Sequence, residues 1–408
     1  MRRNAYGVYL LMSGLSATFL NLYGTVAAVY RVRSAGLNPL QLVLVGTALE
    51  AACFVAGIPT GILADIFSRR LLVVIGFLLE GMGFALEGAI PHFEAILLAQ
   101  VLWGAGAMCL DGALEAWIAG EVGDERLSHV FIRASQVGQL CSIAGIVAAG
   151  LLASIGYNLP LLVAGALMFA LGIVAAIVMP ETAFHPLRHA DADEVSRTTW
   201  HAMRDTVRQS GRLVRRSPIL LTLLGVAAFY GMSSEGFDRL WEAHLLLDVR
   251  LPSLGTLNPV LWFSIILIVA QLLSIGTTEL ARRRVNTGSH VAVARALFGI
   301  NALLIVVVIV FGLAVNFPLA VAAYLMADVL RTTRQPIYLA WLTQTIDARV
   351  RATVLSISSQ LDAFGQIAGG PVIGVIGTVR SIRVALVATS ITLTPALLLF
   401  ARATRLKV

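Results

Sequence analysis

The sequence predicts an all-α membrane protein: twelve transmembrane helices arranged as two halves of six. Three observations carry that expectation. Residues of the set AVILMFWYC make up 58% of the 408 positions, and Gly fills another 36, far above the roughly 45–50% that a soluble domain gives to both together. Charged residues are only 13% and mean hydropathy is +0.84, against roughly 25% charged in soluble domains, so a globule would have too little polar surface to dissolve. The apolar residues also gather into runs of spanning length, each long enough for the roughly 20 residues that a bilayer core requires. Collagen, a disordered chain and a soluble enzyme on one anchor are excluded.

The runs fall at 6–30, 39–64, 71–90, 94–118, 130–155, 159–179, 219–247, 255–280, 290–314, 318–346, 352–378 and 381–401. In lipid each must satisfy its own backbone hydrogen bonds, and each is too long for a barrel strand, so each is read as a helix. The first follows Met1-Arg2-Arg3 and mimics a signal peptide, but Tyr6 to Tyr30 is too long and lacks a cleavage site. With the N-terminus inside, 21 of the 30 basic residues fall in cytoplasmic segments: Arg2 and Arg3, Arg69 and Arg70, Arg126 and Arg133, seven in 181–217, Arg282 to Arg284, Arg349 and Arg351, and three after 401. Five (Arg31, Arg33, Arg250, Arg380, Arg383) fall outside, and Arg239, Arg295, Arg331 and Arg334 lie within spans. Cytoplasmic loops are the ones enriched in Lys and Arg, which places both termini in the cytoplasm and the protein in the cytoplasmic (inner) membrane.

The break at 181–217 separates a half at 1–180 from a half at 218–408. Within it Trp200, Met203, Val207 and Val214 alternate with Arg, the pattern of an amphipathic helix on the inner leaflet. The net charge of +7 therefore marks orientation and lipid contact, not nucleic acid. Cys53, Cys109 and Cys141 sit unpaired in apolar runs, which supports neither a disulfide framework nor a zinc site. His185 and His189 with Asp191 and Asp193 have metal-like spacing but fall in a solvated loop, and no metal or cofactor is expected. No nucleotide-binding loop or serine elbow occurs, so an ATP-driven pump is disfavoured.

The second half echoes the first. Ala116-Trp117-Ile118 returns as Ala340-Trp341-Leu342, and Gln136, Gly145 and Gly150 return as Gln360, Gly369 and Gly374, offsets of 224. A parallel six-helix repeat is the plan of transporters whose halves rock about a site. Between the second and third runs stands Gly61-Ile-Leu-Ala-Asp65-Ile-Phe-Ser-Arg69-Arg70, which resembles the G-x-L-A-D-R-x-G-R-R loop of the major facilitator superfamily. Ile66 and Ser68 depart from that pattern, and the counterpart Gly276-Thr-Thr-Glu279-Leu-Ala-Arg282-Arg283-Arg284 lacks the aspartate. The resemblance implies the major facilitator fold, with Gly61, Asp65, Arg69 and Arg70 forming a conformational motif. The Gly and Pro residues of span eleven, Gly365 to Gly374 with Pro371, resemble the element that antiporters of this superfamily carry in span five, and here read as close helix packing.

Ionisable groups inside spans are costly, so they face a cavity or pair internally. The resemblance implies that spans one, four, seven and ten line the central cavity. Span four presents Gln100, Gly104, Asp111 and Glu115 at helical spacing, and span seven carries Glu235, Asp238, Arg239 and Glu242, with Glu235 and Arg239 in the favourable i,i+4 order. Asp111, Glu115, Glu235 and Asp238 are the candidates for carrying a proton. Asn21, Tyr23, Arg239, Asp328, Arg331, Arg334, Tyr338 and Trp341 are the candidates for lining the substrate cavity, the arginines for an acidic group and the aromatics for a planar one. Glu80 and Glu87 read as structural ion pairs or end effects. These features point to a monomeric secondary transporter that exports a small solute in exchange for protons and is not an enzyme. A proton-coupled importer, or a membrane sensor or lipid-handling protein on the same fold, are the alternatives. The topology has its own check: a reporter fused after Val408 is expected to be active as a cytoplasmic fusion, and periplasmic activity of a well-expressed fusion would overturn the orientation.

Overall fold

The computed structural model describes residues 5–66, 68–182, 218–249, 251–253, 258–284, 290–344 and 351–403. The expected amphipathic segment and the paired histidines fall outside them. Among the described residues the chain is helical and contains no strand. The first three spans are α1 (Ala5–Arg33), α2 (Pro39–Ile66) and α3 (Arg69–Ala89). The fourth is α4 (Phe93–Leu110) with α5 (Ala113–Val122), and the fifth and sixth are α6 (Asp124–Ala153) and α7 (Asn158–Val178). The seventh is α8 (Pro218–His244), which runs into a π-helical turn at Leu245–Val249. Then come α9 (Val260–Arg284), α10 (His290–Leu313), α11 (Phe317–Gln344), α12 (Arg351–Val379), and the pair α13 (Ile382–Ile391) and α14 (Thr394–Ala403). Nine of these segments, the paired helices counted together, are long and apolar enough to cross a membrane among the described residues. Of the others, α11 is diluted by Asp328, Arg331 and Arg334, and α12 by the polar run from Ser356 to Gln366.

Two expected helices are broken, the last between Ile391 and Thr394 and the fourth at Asp111. Asp111 leaves the helical region at φ −62°, ψ 122°, and Gly112 takes φ 74°, a value that a side chain resists and glycine does not. Gln100 and Gly104 are therefore buried on α4, while Asp111 and Glu115 lie exposed at the break and on α5. The single face that the spacing predicted does not exist.

Packing divides the chain into two compact units. One contains Met1–Leu37, Ala48–Trp200 and Ser253–Ser264; the other contains Asn38–Thr47, His201–Pro252 and Ile265–Val408. Inside the first unit α1 packs on α6 and α7, and α3 on α4 and α7. The second unit repeats the scheme: α8 packs on α12 and on α13 with α14, and α10 on α11 and on α13 with α14. Small residues permit the closest of these approaches. A Cβ on Gly145 of α6 would overlap the Thr18 backbone of α1, and one on Gly369 of α12 would overlap Met232 of α8. At its far end α6 meets Leu261 and Ser264 at Gly150, and Ser264 Oγ donates to Ile146 O (3.2 Å). In the other unit α12 meets Leu40 and Val43 at Gly374, and the Leu40 N–H donates to Thr378 Oγ1 (2.9 Å).

Gly145→Val is expected to lower the melting temperature and yield of detergent-purified protein, because backbone stands where the side chain must go. Gly24→Ala, on the same helix pair with open space at its Cβ, is expected to leave both unchanged or slightly raised.

Candidate functional site

The loop joining the second and third spans is built into the first unit. Ser68 caps α3, its Oγ accepting from the Leu71 N–H (3.0 Å) and donating to the Glu181 carboxylate (2.7 Å). Arg69 donates to Ala116 O (2.7 Å) on α5, Arg70 donates to Ala176 O on α7, and Trp117 Nε1 donates to Pro180 O (2.6 Å). Both arginines thus spend donors on backbone carbonyls of neighbouring helices, Arg70 on one near the C-terminus of α7, where positive charge is favoured. The helix that carries Gly61 and Asp65 is described, but the Asp65 side chain is not among the described ones.

Deeper in the first unit is a closed polar network. Arg31 Nε donates to Glu87 Oε1 (2.8 Å), and its Nη2 to Glu87 Oε2 (3.1 Å) and Tyr23 Oη (2.8 Å). Tyr23 Oη donates to Glu87 Oε2 (2.6 Å), and Gln100 Nε2 donates to both (3.0 and 2.8 Å). The Tyr23 ring stacks on Phe84 with centroids 4.0 Å apart, and Trp103 stands edge-on to both. Arg31, assigned to an outer loop by sequence, is buried, because Glu87 offers a counter-charge one helix away. Tyr23 is spent on this network, and Asn21 donates to Ala17 O (2.9 Å) of its own helix.

The second unit holds the larger ionic cluster. Arg239 pairs with Glu235 (3.2 Å) as the i,i+4 spacing predicts. Asp238 does not turn to its own helix: both of its oxygens accept from Arg331 of α11, at 2.5 and 2.7 Å. Arg331 also reaches Tyr230 Oη (3.4 Å) and lies over the Phe237 ring. Arg334 stacks on the Tyr230 ring at 3.5 Å and faces that of Tyr338 at 5.1 Å. Tyr338 Oη donates to Leu223 O (3.0 Å) with Ser358 Oγ beside it (3.0 Å). Asp328 accepts from Ser274 Oγ (3.1 Å). Trp341 is buried against Phe400 in the apolar core. Of the residues singled out by sequence, Glu235, Asp238, Arg239, Arg331, Arg334 and Tyr338 therefore share one region of one unit.

Sequence reasoning missed Tyr230 as the ring under Arg334, and it missed His244. That ring is buried, with Nδ1 2.9 Å from Asp248 Oδ2 and Nε2 3.0 Å from Phe311 O. A carbonyl only accepts, so Nε2 carries a proton; Nδ1 facing a carboxylate requires another, on the ring or on the acid. Arg383 donates to Asp248 O (3.1 Å). The visible signal was an acid four residues after a histidine at the end of a span.

The sequence model of the Major Facilitator Superfamily matches residues 9–369. An uncharacterised MFS-type transporter, YxaM of Bacillus subtilis (strain 168), is 19% identical over 90% of this chain and 88% of its own. Among solved structures, the chain is similar to a bacterial homologue of the human lysosomal transporter Spinster, with a TM-score of 0.77 and 15% identity over 99% of this chain and 98% of that one. A nucleoside transporter, NupG, matches with a TM-score of 0.77 and 14% identity over 98% of this chain and 100% of that one.

The Arg31–Glu87 network has a structural signature that separates it from a transport site. Glu87→Gln strands a buried cation and is expected to cost about 3–5 kcal/mol, read as a drop in thermal stability. Arg31→Met with Glu87→Leu removes both charges and is expected to recover most of that loss.

Proposed function

The chain belongs to the Major Facilitator Superfamily, and from that premise we propose that this multi-pass membrane transporter exports a small solute in exchange for protons. It works as a monomer in the cytoplasmic membrane, with both termini in the cytoplasm. The observation that supports proton coupling best is the Asp238–Arg331 pair, which joins α8 to α11 by two charge-assisted bonds. A proton arriving on Asp238 removes the negative charge that holds Arg331 and uncouples the two helices. Loss of the proton restores the bond. A carboxylate that alternates between these states can link proton movement to a conformational cycle, whereas a permanently charged pair cannot. Glu235, paired with Arg239 within α8, is a second candidate carrier, and the exposed Asp111 at the break of span four is the proton carrier offered by the first unit. Asp65, beside the anchored Arg69 and Arg70, is the moving charge of the inner loop.

Export in exchange for protons predicts accumulation of solute in inside-out vesicles when their lumen is made acidic. Asp238→Asn is expected to abolish that pH-driven accumulation, by at least tenfold, while solute exchange without a gradient persists. Full pH-driven flux in the variant removes Asp238 from coupling. A purely structural pair predicts a different result: loss of folded protein and of every activity together, restored by adding Arg331→Gln.

A further inference from the structure

Arg334 is 2% exposed, and among the described residues it makes no hydrogen bond or ion pair; its Nε is a buried donor without an acceptor. Its neighbours are answered, Arg331 by Asp238 and Arg239 by Glu235. Asp362 of α12 acts on Arg334 through space only, and its Oδ2 accepts from Gln366 Nε2 (3.0 Å). The Tyr230 and Tyr338 rings attract the cation. Rings facing the guanidinium do not satisfy its N–H donors, which point outward in its plane. A buried Arg with its donors unspent is costly to keep.

The fold does not demand this cation. Gly145 meets Thr18 where Gly369 meets Met232, and Gly138 meets Ala17 where Gly231 meets Asp362. Both correspondences place α6 on α12 at an offset of 224 and α1 on α8 at an offset of 214. On that register the charged residues Asp238, Arg331, Arg334 and Asp362 of the second repeat stand where the first has Gly24, Ala107, Leu110 and Gly138. One six-helix scaffold is built twice, and only the second copy carries ions at these positions.

Resting on the transporter reading above, we propose that Arg334 is the docking point for the carboxylate of the transported solute, a small organic monoanion. The fork of a guanidinium matches the two oxygens of a carboxylate in one plane, and the in-plane donors that the rings leave unsatisfied are the ones such a group needs. With Asp362 already acting on this cation, a second negative charge on the ligand is disfavoured. Access is from the side of Tyr230 and the Asp238–Arg331 pair, whose side chains are 40% and 20% exposed.

The test uses full-length protein purified in detergent and three acid–amide pairs: acetate and acetamide, benzoate and benzamide, octanoate and octanamide. Thermal shift and tryptophan fluorescence are read for each. At least one acid is expected to bind while its amide does not. Arg334→Gln is expected to weaken that acid at least tenfold with the unliganded melting temperature unchanged or raised, and Arg334→Lys, which lacks the fork, to fall between. No preference for acid over amide in any pair overturns the proposal, as does equal acid binding in Arg334→Gln. A fall in unliganded stability that Asp362→Asn reverses assigns Arg334 to charge compensation and also overturns it. The two readings fail separately: pH-driven movement of amines or neutral solutes alone refutes the carboxylate and leaves transport standing, whereas an acid bound at Arg334 but never moved in vesicles upholds the site and counts against transport.

Discussion

An ionised side chain inside an apolar helix must find its partner within the protein, and much of this molecule is arranged by that requirement. Removing one member of a fully buried pair such as Arg31–Glu87 costs about 3–5 kcal/mol, and less where the side chains are part exposed, as at Asp238–Arg331; each pair acts as a positional clamp. Glu87 of α3 holds Arg31 and Tyr23 of α1, and Gln100 brings α4 to the same point. Asp238 ties α8 to α11. Asp248, just past α8, contacts His244 behind it and Arg383 on α13. Apolar packing alone is not directional between helices in lipid. These polar contacts supply the register that it lacks.

The two units spend the same device differently. In the first, charge is settled where helices end: Arg69 and Arg70 on backbone carbonyls, Glu181 and Ser68 at the start of α3, and the Arg31 network at the end of α1. Its middle is left mostly to Gly, Ala and Leu, although Glu80 lies buried midway along α3. In the second, charge occupies the middle of α8 and α11, on helices that its apolar neighbours must hold in place. A scaffold repeated in packing but not in polarity assigns stability to the shared positions and chemistry to the unshared ones.

The fold was legible because its signals are long-range averages. Composition, twelve runs and the bias of Arg toward alternate loops survive local exceptions, and the repeat was visible in a handful of residues from Ala116 to Gly374. The site was legible only in part. Periodicity predicted Glu235–Arg239, since both partners lie on one helix, but it could not choose Arg331 for Asp238, because that pairing depends on the crossing of α8 and α11. It also assumed an unbroken fourth span. A Gly one residue after an Asp reads as helix in an apolar run until its neighbours draw it into positive φ. Arg31 was misplaced for a related reason: loop and helix end look alike in sequence, and only the position of Glu87 decides.

The break at Gly112 has a counterpart that bears on how the cluster can move. At the offset of 224 its partner is Pro336, which lies inside α11 without ending it. Proline lacks the N–H that would bond the carbonyl four residues earlier, so the fourth span of each repeat is weakened at the same place, once by a left-handed glycine and once by a missing donor. Arg331 and Arg334 lie just before that point; Tyr338 and Trp341 lie just after it, Trp341 fixed in the core with Phe400 and Tyr338 bonded to Leu223. Bending there would carry the arginines while the aromatics stay, changing the gap between Arg334 and the Tyr338 ring. The weakest turn of α11 thus lies between its charges and its anchor, where a change in the charges is most readily converted into a movement of the helix.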